Sequence, residues 1–153
     1  MKLFPWKKKN KFFTDEENHL IVKAIRHAEQ STSGEVRVFV ESHCSWMDAI
    51  DRAAEIFFTL KMENTEDRNA VLVYVAIKDR QLAVFGDEGI HNKVGTAYWN
   101  QLVKEMLASS SSNDHAKEIA ACVIQIGDAL IKSFQYDKQS DKNELPDELV
   151  FGR

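Results

Sequence analysis

Ala70-Val-Leu-Val-Tyr-Val-Ala-Ile-Lys-Asp-Arg-Gln-Leu-Ala-Val-Phe-Gly86 decides the fold. Residues 70–77 are apolar on both faces, the pattern of a central strand covered by helices on each side. Lys78-Asp79-Arg80 is too short for anything except a turn, and Gln81–Gly86 returns as a second, mostly apolar strand, so 70–86 is a hairpin. Asp79 and Arg80 suit that turn for local reasons: an Asp side chain bonds its own backbone, and Arg80 reaches over the sheet end. Both are read as structural.

Upstream, Glu35-Val-Arg-Val-Phe-Val-Glu41 alternates strictly. Val36, Val38 and Val40 point one way, and Glu35, Arg37, Phe39 and Glu41 the other. One covered face and one polar face predict a strand near the sheet edge. A helix follows from about Met47 to Lys61, with Ser45 as its cap and Ala49, Ile50, Ala53, Ile56, Phe57 and Leu60 on its buried stripe. Such a crossover makes strands 35–41 and 70–77 parallel, almost always with right-handed connection. Further out, Thr14 and Glu17 form a capping box that opens a helix over 14–30. The spacing of Val94, Tyr98, Trp99, Leu102, Val103 and Met106 predicts a helix from His91 to Leu107. A serine linker, 109–112, separates it from a helix that starts at Asn113 or Asp114 and runs to about Phe134. The chain therefore divides into a basic aromatic tail (1–13), one α/β domain (14–136) and an extended tail (137–153) ending in an apolar clip, Leu149-Val150-Phe151.

A chain of 153 residues, 44% hydrophobic and 29% charged, is long enough for one core and too apolar for wholesale disorder. Of its 20 basic residues five lie in 1–11, where there is no acid; with 24 acidic residues in all, residues 12–153 hold a net charge of −9. An acidic body does not suit a phosphate backbone, which argues against nucleic acid as a partner. Leu3, Phe4, Trp6, Phe12 and Phe13 interleave with the N-terminal lysines. They read as a solvated tail whose aromatics tuck against the domain, or as a weak contact with an anionic membrane surface. There is neither the apolar run of a signal peptide nor that of a spanning helix. Cys44 and Cys122 stand far apart, without metal-ligand spacing, which suits a reducing compartment.

The topology sorts the polar residues onto two rims. The exit of strand 81–86 lies beside the entrances of the two parallel strands, gathering Ser33, Glu35, Asp67, Arg68, Asn69, Asp87 and Glu88, with His91 opening the next helix. The opposite rim holds Glu41, Asp79 and Arg80, roughly 20 Å away across a six-residue strand. Glu35, Asp87 and Glu88 are oxygen donors suited to calcium or magnesium. Arg68 could grip a phosphate in bidentate fashion, and Gly86 and Gly89 would let backbone close around a ligand. The plainer reading is of solvated strand-end residues and turn glycines.

The motifs Ser33-Gly-Glu-Val-Arg-Val38, Arg68-Asn-Ala-Val-Leu-Val-Tyr-Val75, Asp79-Arg80 and Gly86-Asp-Glu-Gly-Ile90 closely resemble the TPM domain, a family named in part for a thylakoid-lumen phosphatase. The closing Asn143-Glu-Leu-Pro-Asp-Glu-Leu-Val150 resembles the tail of its short stand-alone bacterial members. The resemblance implies a three-layer α/β/α sandwich around a small mixed sheet. It also implies divalent-metal binding and, for some members, acid phosphatase activity on phosphomonoesters; other members serve as accessory partners of membrane complexes. This chain has Ala70 where the family often has Gly, and an acidic Gly86-Asp-Glu-Gly-Ile90 where many members carry Gly-Tyr-Gly-Leu-Glu. The leader and anchor of many members are not seen, which favours a cytoplasmic form.

Two functions are therefore carried forward. In the first, a calcium or magnesium ion on Glu35, Asp87 and Glu88 orients water, Arg68 holds the phosphoryl group, and a carboxylate, Asp87 foremost, is the catalytic base. In the second, the same loop binds a metal or a partner protein without turnover. Asn69 and His91 border the site in both.

Overall fold

Thr14 accepts from the Glu17 amide while Glu17 reaches back to the Thr14 amide, and this reciprocal cap starts the first helix, α1 (Asp15–Glu29). A computed structural model describes residues 12–109, 114–135 and 149–152 of the chain. The order continues β1 (Glu35–Glu41), α2 (Ala49–Thr59), β2 (Ala70–Ala76), β3 (Gln81–Gly86), α3 (Glu88–Val94), α4 (Thr96–Ser109), α5 (His115–Ser133) and β4 (Leu149–Phe151). The strands form one open mixed sheet in the order β3-β2-β1-β4, with β1 parallel to both β2 and β4, and β3 antiparallel to β2.

Alternation along the strands makes the layers. Val36, Val38, Val40, Val71, Val73 and Val84 face a core shared with α1, α4 and α5. Phe39, Leu72, Tyr74 and Ala83 face a second core closed by Ala53, Ile56 and Phe57 of α2. The result is an α/β/α sandwich with four helices on one face and α2 on the other. Among the described residues, no helix is long and apolar enough to cross a membrane.

Three sequence expectations are corrected. First, β1 is interior, because the C-terminal clip becomes β4 and pairs with Val38, Phe39 and Val40. Its polar face is buried too: Glu35, Arg37 and Glu41 are 4%, 0% and 6% exposed. Glu41 is held by Arg52 of α2, whose Nε and Nη2 donate to it at 2.9 and 3.0 Å, and by the Tyr74 hydroxyl. Second, α2 begins two residues later than expected, behind Asp48 rather than Ser45, and the Asp48 side chain makes no capping bond. Third, Gly95, at φ 80°, divides the expected helix 91–107 into α3 and α4. Of the expected extended tail, residues 149–151 form a strand; residues 1–11, 110–113, 136–148 and 153 lie outside the described residues, and with them the lysine-rich segment, most of the serine linker and the Asn143–Glu148 motif. Phe12 and Phe13 do tuck against the domain, their rings 6.2 and 6.4 Å from that of Phe151.

Helices α1 and α5 touch where Gly127 faces Ala28, and a Cβ at residue 127 would stand 2.6 Å from the Ala28 Cβ. Alanine gains about 1 kcal/mol of helix propensity over glycine, whereas overpacking against rigid backbone costs about 1–3 kcal/mol. With the contact so close to Ala28 backbone the clash outweighs the gain, so Gly127→Ala is expected to lower stability by up to about 2 kcal/mol, read as a reduced urea midpoint at unchanged slope.

Candidate functional site

Register places the first rim. Glu35 pairs with Ala70 and Val71 with Gly86, so the next residue, Asp87, lies opposite Ala70 and donates its amide to the Ala70 carbonyl at 2.9 Å. Glu35 and Asp87 thus flank Ala70 on one rim, two strand spacings or roughly 10 Å apart.

The rim is fastened by Arg68. Its backbone is left-handed at φ 50°, a conformation costly for a residue with a Cβ. Two contacts hold it there. Its carbonyl accepts the Gly89 amide at 2.8 Å, and its guanidinium forks onto Asp87, Nε to Oδ2 at 2.6 Å and Nη2 to Oδ1 at 2.8 Å. Nη1 meets Glu88 Oε1 at 3.3 Å. The hydrogen bond to Asp87, helped by the charges of Asp87, Glu88 and Glu63, holds the Arg68 guanidinium above its ordinary range. Gly89 has no substitute here: a Cβ would lie 2.1 Å from the Asp67 carbonyl oxygen and 2.6 Å from that of Arg68.

Asp87 is 3% exposed, and its Oδ1 also accepts the Glu88 amide at 2.8 Å to start α3. Both carboxylate oxygens are therefore engaged. Glu88, by contrast, is two-thirds exposed, at 66% of its side chain. Glu35 is buried at the entrance of β1. Ser33 links two neighbours, donating to Asp67 Oδ2 at 3.2 Å and accepting from Asn69 Nδ2 at 3.1 Å. Asn69 is buried, and its Oδ1 has no hydrogen-bond partner among the described residues. His91 Nδ1 accepts from Trp99 Nε1 at 3.1 Å, which leaves the ring proton on Nε2. The rim thus brings Arg68, Asp87 and Glu88 into contact and leaves Glu35 in its own buried place.

The opposite rim is a separate set. Asp79 does not bond its own turn; it crosses to the β1 exit, accepting the Cys44 amide at 2.7 Å and meeting His43 Nδ1 at 2.8 Å. Arg80 is exposed, with φ 52°. The hydrogen bond from His43, then that from Cys44, holds the Asp79 carboxyl below its ordinary 3.8. Tyr74 is pushed up by burial and then by the Glu41 carboxylate to which it donates.

Sequence reasoning missed a large concavity. A groove of about 800 Å³ runs along the outer edge of β3, between α2 and α4. Its walls are Ile50 and Phe58 on one side and Trp99 and Val103 on the other, with Leu82, Val84 and Phe85 as floor. Arg68, Asp87, Glu88 and His91 close one end, and Asp48 stands at the other. Ile50, expected on the buried stripe of α2, is instead half-exposed along this groove; the half-exposed Phe58, off that stripe, was the available signal.

Comparison with known proteins places this geometry. Residues 7–129 match the sequence profile of the TPM domain. The BA42 protein of the psychrophilic bacterium Bizionia argentinensis is 37% identical, with 95% of this chain and 99% of that one covered, at a TM-score of 0.83. The N-terminal domain of a protein from P. gingivalis shares the fold at a TM-score of 0.66 and 12% identity, over 81% of this chain and 80% of that one. No curated protein matches the sequence.

The Asp79 contacts give a pH dependence of known sign. A carboxyl lowered on folding contributes stability that is complete above its ordinary 3.8 and lost as pH falls through the lower folded value. Asp79→Asn is expected to be less stable than the parent in urea at pH 6, with the two chains converging toward pH 3. A gap that stays constant across this range would show that ionisation of Asp79 plays no part.

Proposed function

This chain belongs to the TPM domain family, and from that membership we propose that it is a binding module whose partner lies in the groove beside β3, rather than a phosphatase acting at the Arg68 rim. One observation carries the reading: among the described residues the only guanidinium at the groove is forked onto Asp87 and shared with Glu88, so the charge in excess there is acidic, from Glu88 at one end and Asp48 at the other. A predominantly apolar cleft with a few convergent polar groups is the ordinary form of a ligand site, and this one suits an apolar ligand carrying positive charge.

A phosphomonoester fits less well. To grip it, Arg68 would have to turn from Asp87, and the phosphoryl oxygens would meet Asp87 and Glu88. Asp87, with both oxygens accepting, acts here as a positioning group for Arg68 and not as a base.

Calcium or magnesium is a second reading, favoured by a specific feature. The guanidinium bridges Asp87 and Glu88, in the place that a cation between two carboxylates would take. As arranged, Glu35, Asp87 and Glu88 do not fit a divalent ion, because Glu35 is buried apart and Asp87 is already paired. Among the described residues no group of three or more His, Cys, Asp or Glu is set to hold one. A divalent ion enters only as Arg68 leaves.

Two measurements on the full chain separate these readings. Titration with phenethylamine, an apolar ring with a cationic head, is expected to shift the amides of residues 82–86 and those of Ile50 and Phe58, while p-nitrophenyl phosphate is neither bound there nor hydrolysed. Turnover of that ester, abolished by Arg68→Ala, would overturn the binding-module reading. For the ion, Arg68→Ala is expected to bind calcium at least tenfold more tightly than the parent, followed by amide shifts at residues 67–70 and 86–91. Equal affinity in the two chains would place any bound calcium elsewhere.

A further inference from the structure

Among the described residues, the outer edge of β3 is a strand edge with no partner. Because the Asp87 amide bonds inward to Ala70, alternate residues of the antiparallel ladder do the same, so Phe85, Ala83 and Gln81 bond toward β2. Leu82, Val84 and Gly86 then direct their N–H and C=O groups outward. No strand pairs with that side among the described residues. Proteins ordinarily blunt such edges with lysine, proline, bulges or a covering element. Gln81-Leu-Ala-Val-Phe-Gly86 carries no charge and no proline, and the groove keeps its flank clear.

Resting on the binding-module reading, we infer that the partner is an extended peptide segment that adds to β3 as a fifth strand, with apolar residues between two basic ones about six positions apart. Three features select this occupant. Backbone hydrogen bonds from Leu82, Val84 and Gly86 would fix an extended chain, and apolar walls on both sides receive its alternating side chains. The edge is recessed between α2 and α4, which leaves room for one chain and not for a second copy's sheet with its own helices. Charge sets the ends: Asp48 caps nothing and lies at the rim where β3 enters, while the exposed Glu88 lies where β3 exits. Six rises of about 3.3 Å span the roughly 20 Å between those rims, which spaces the two cations.

The test uses the full chain, isotope-labelled, and the acetylated, amidated peptide Lys-Thr-Val-Phe-Val-Thr-Lys. Expected are amide shifts along 82–86 and slowed hydrogen exchange at Leu82, Val84 and Gly86 but not at their already protected neighbours. A peptide with Glu for both Lys is expected to bind at least tenfold more weakly. Asp48→Lys, a change at an exposed position, is expected to weaken the basic peptide and strengthen the acidic one. Binding indifferent to these charge changes would overturn the inference. So would peptide shifts without exchange protection; if phenethylamine still bound the groove, the binding-module reading would stand while the added strand fell. Concentration-dependent self-association that protects the same three amides without peptide would assign the edge to a second copy instead.

Discussion

The fork from Arg68 to Asp87 ties the entrance of β2 to the exit of β3, and the rest of the candidate site follows from that tie. The hairpin alone brings these two ends within reach, but it does not decide which side chains face each other. Arg68 does so by adopting a left-handed backbone, which turns its carbonyl to the Gly89 amide and its guanidinium to a buried carboxylate. A buried carboxylate with one partner removed is strongly unfavourable. The pairing therefore fixes the start of α3 and the end of the β3 groove.

The same device appears at the other end of the sheet. Arg52 of α2 forks onto Glu41 at the exit of β1, and the pairing holds the guanidinium above its ordinary range. Each rim thus neutralises a buried acid with an arginine contributed by a neighbouring segment. What remains in excess at the groove, among the described residues, is acid: Asp48 at one end and, sharing Arg68 with Asp87, Glu88 at the other. Polarity of the groove is a consequence of how the rims are stabilised.

Much of this was legible in the chain. Thr14 and Glu17 marked a helix start because capping is a local bond. Residues 70–86 gave the hairpin, and the length of the 47–61 helical segment gave the parallel crossover; strand direction then collected the acids on one rim. The failures share a cause in long-range partners. Glu35, Arg37 and Glu41 alternate with valines and look solvated, yet β1 is interior because β4, more than a hundred residues later, pairs with it. Gly95 was hidden inside a helical pattern that tolerates one glycine, and only its left-handed φ reveals the break. Nor does spacing show that Arg68 and Asp87, nineteen residues apart, are hydrogen-bonded to each other. The groove is a gap between helices distant in sequence; Ile50 was read as buried, and only Phe58, off the apolar stripe of α2, hinted at it.

The family membership supplies the frame, and the proposal for the groove is drawn from the rim chemistry. Everything proposed for the groove presumes that Arg68 is held by Asp87 in solution. The side-chain nitrogen resonances of Arg68 report this. A forked guanidinium gives a slowly exchanging Nε–H and inequivalent Nη groups, both lost in Asp87→Asn. A fast-exchanging Nε–H with averaged Nη signals, as for a solvated arginine and unchanged by Asp87→Asn, would contradict the reading.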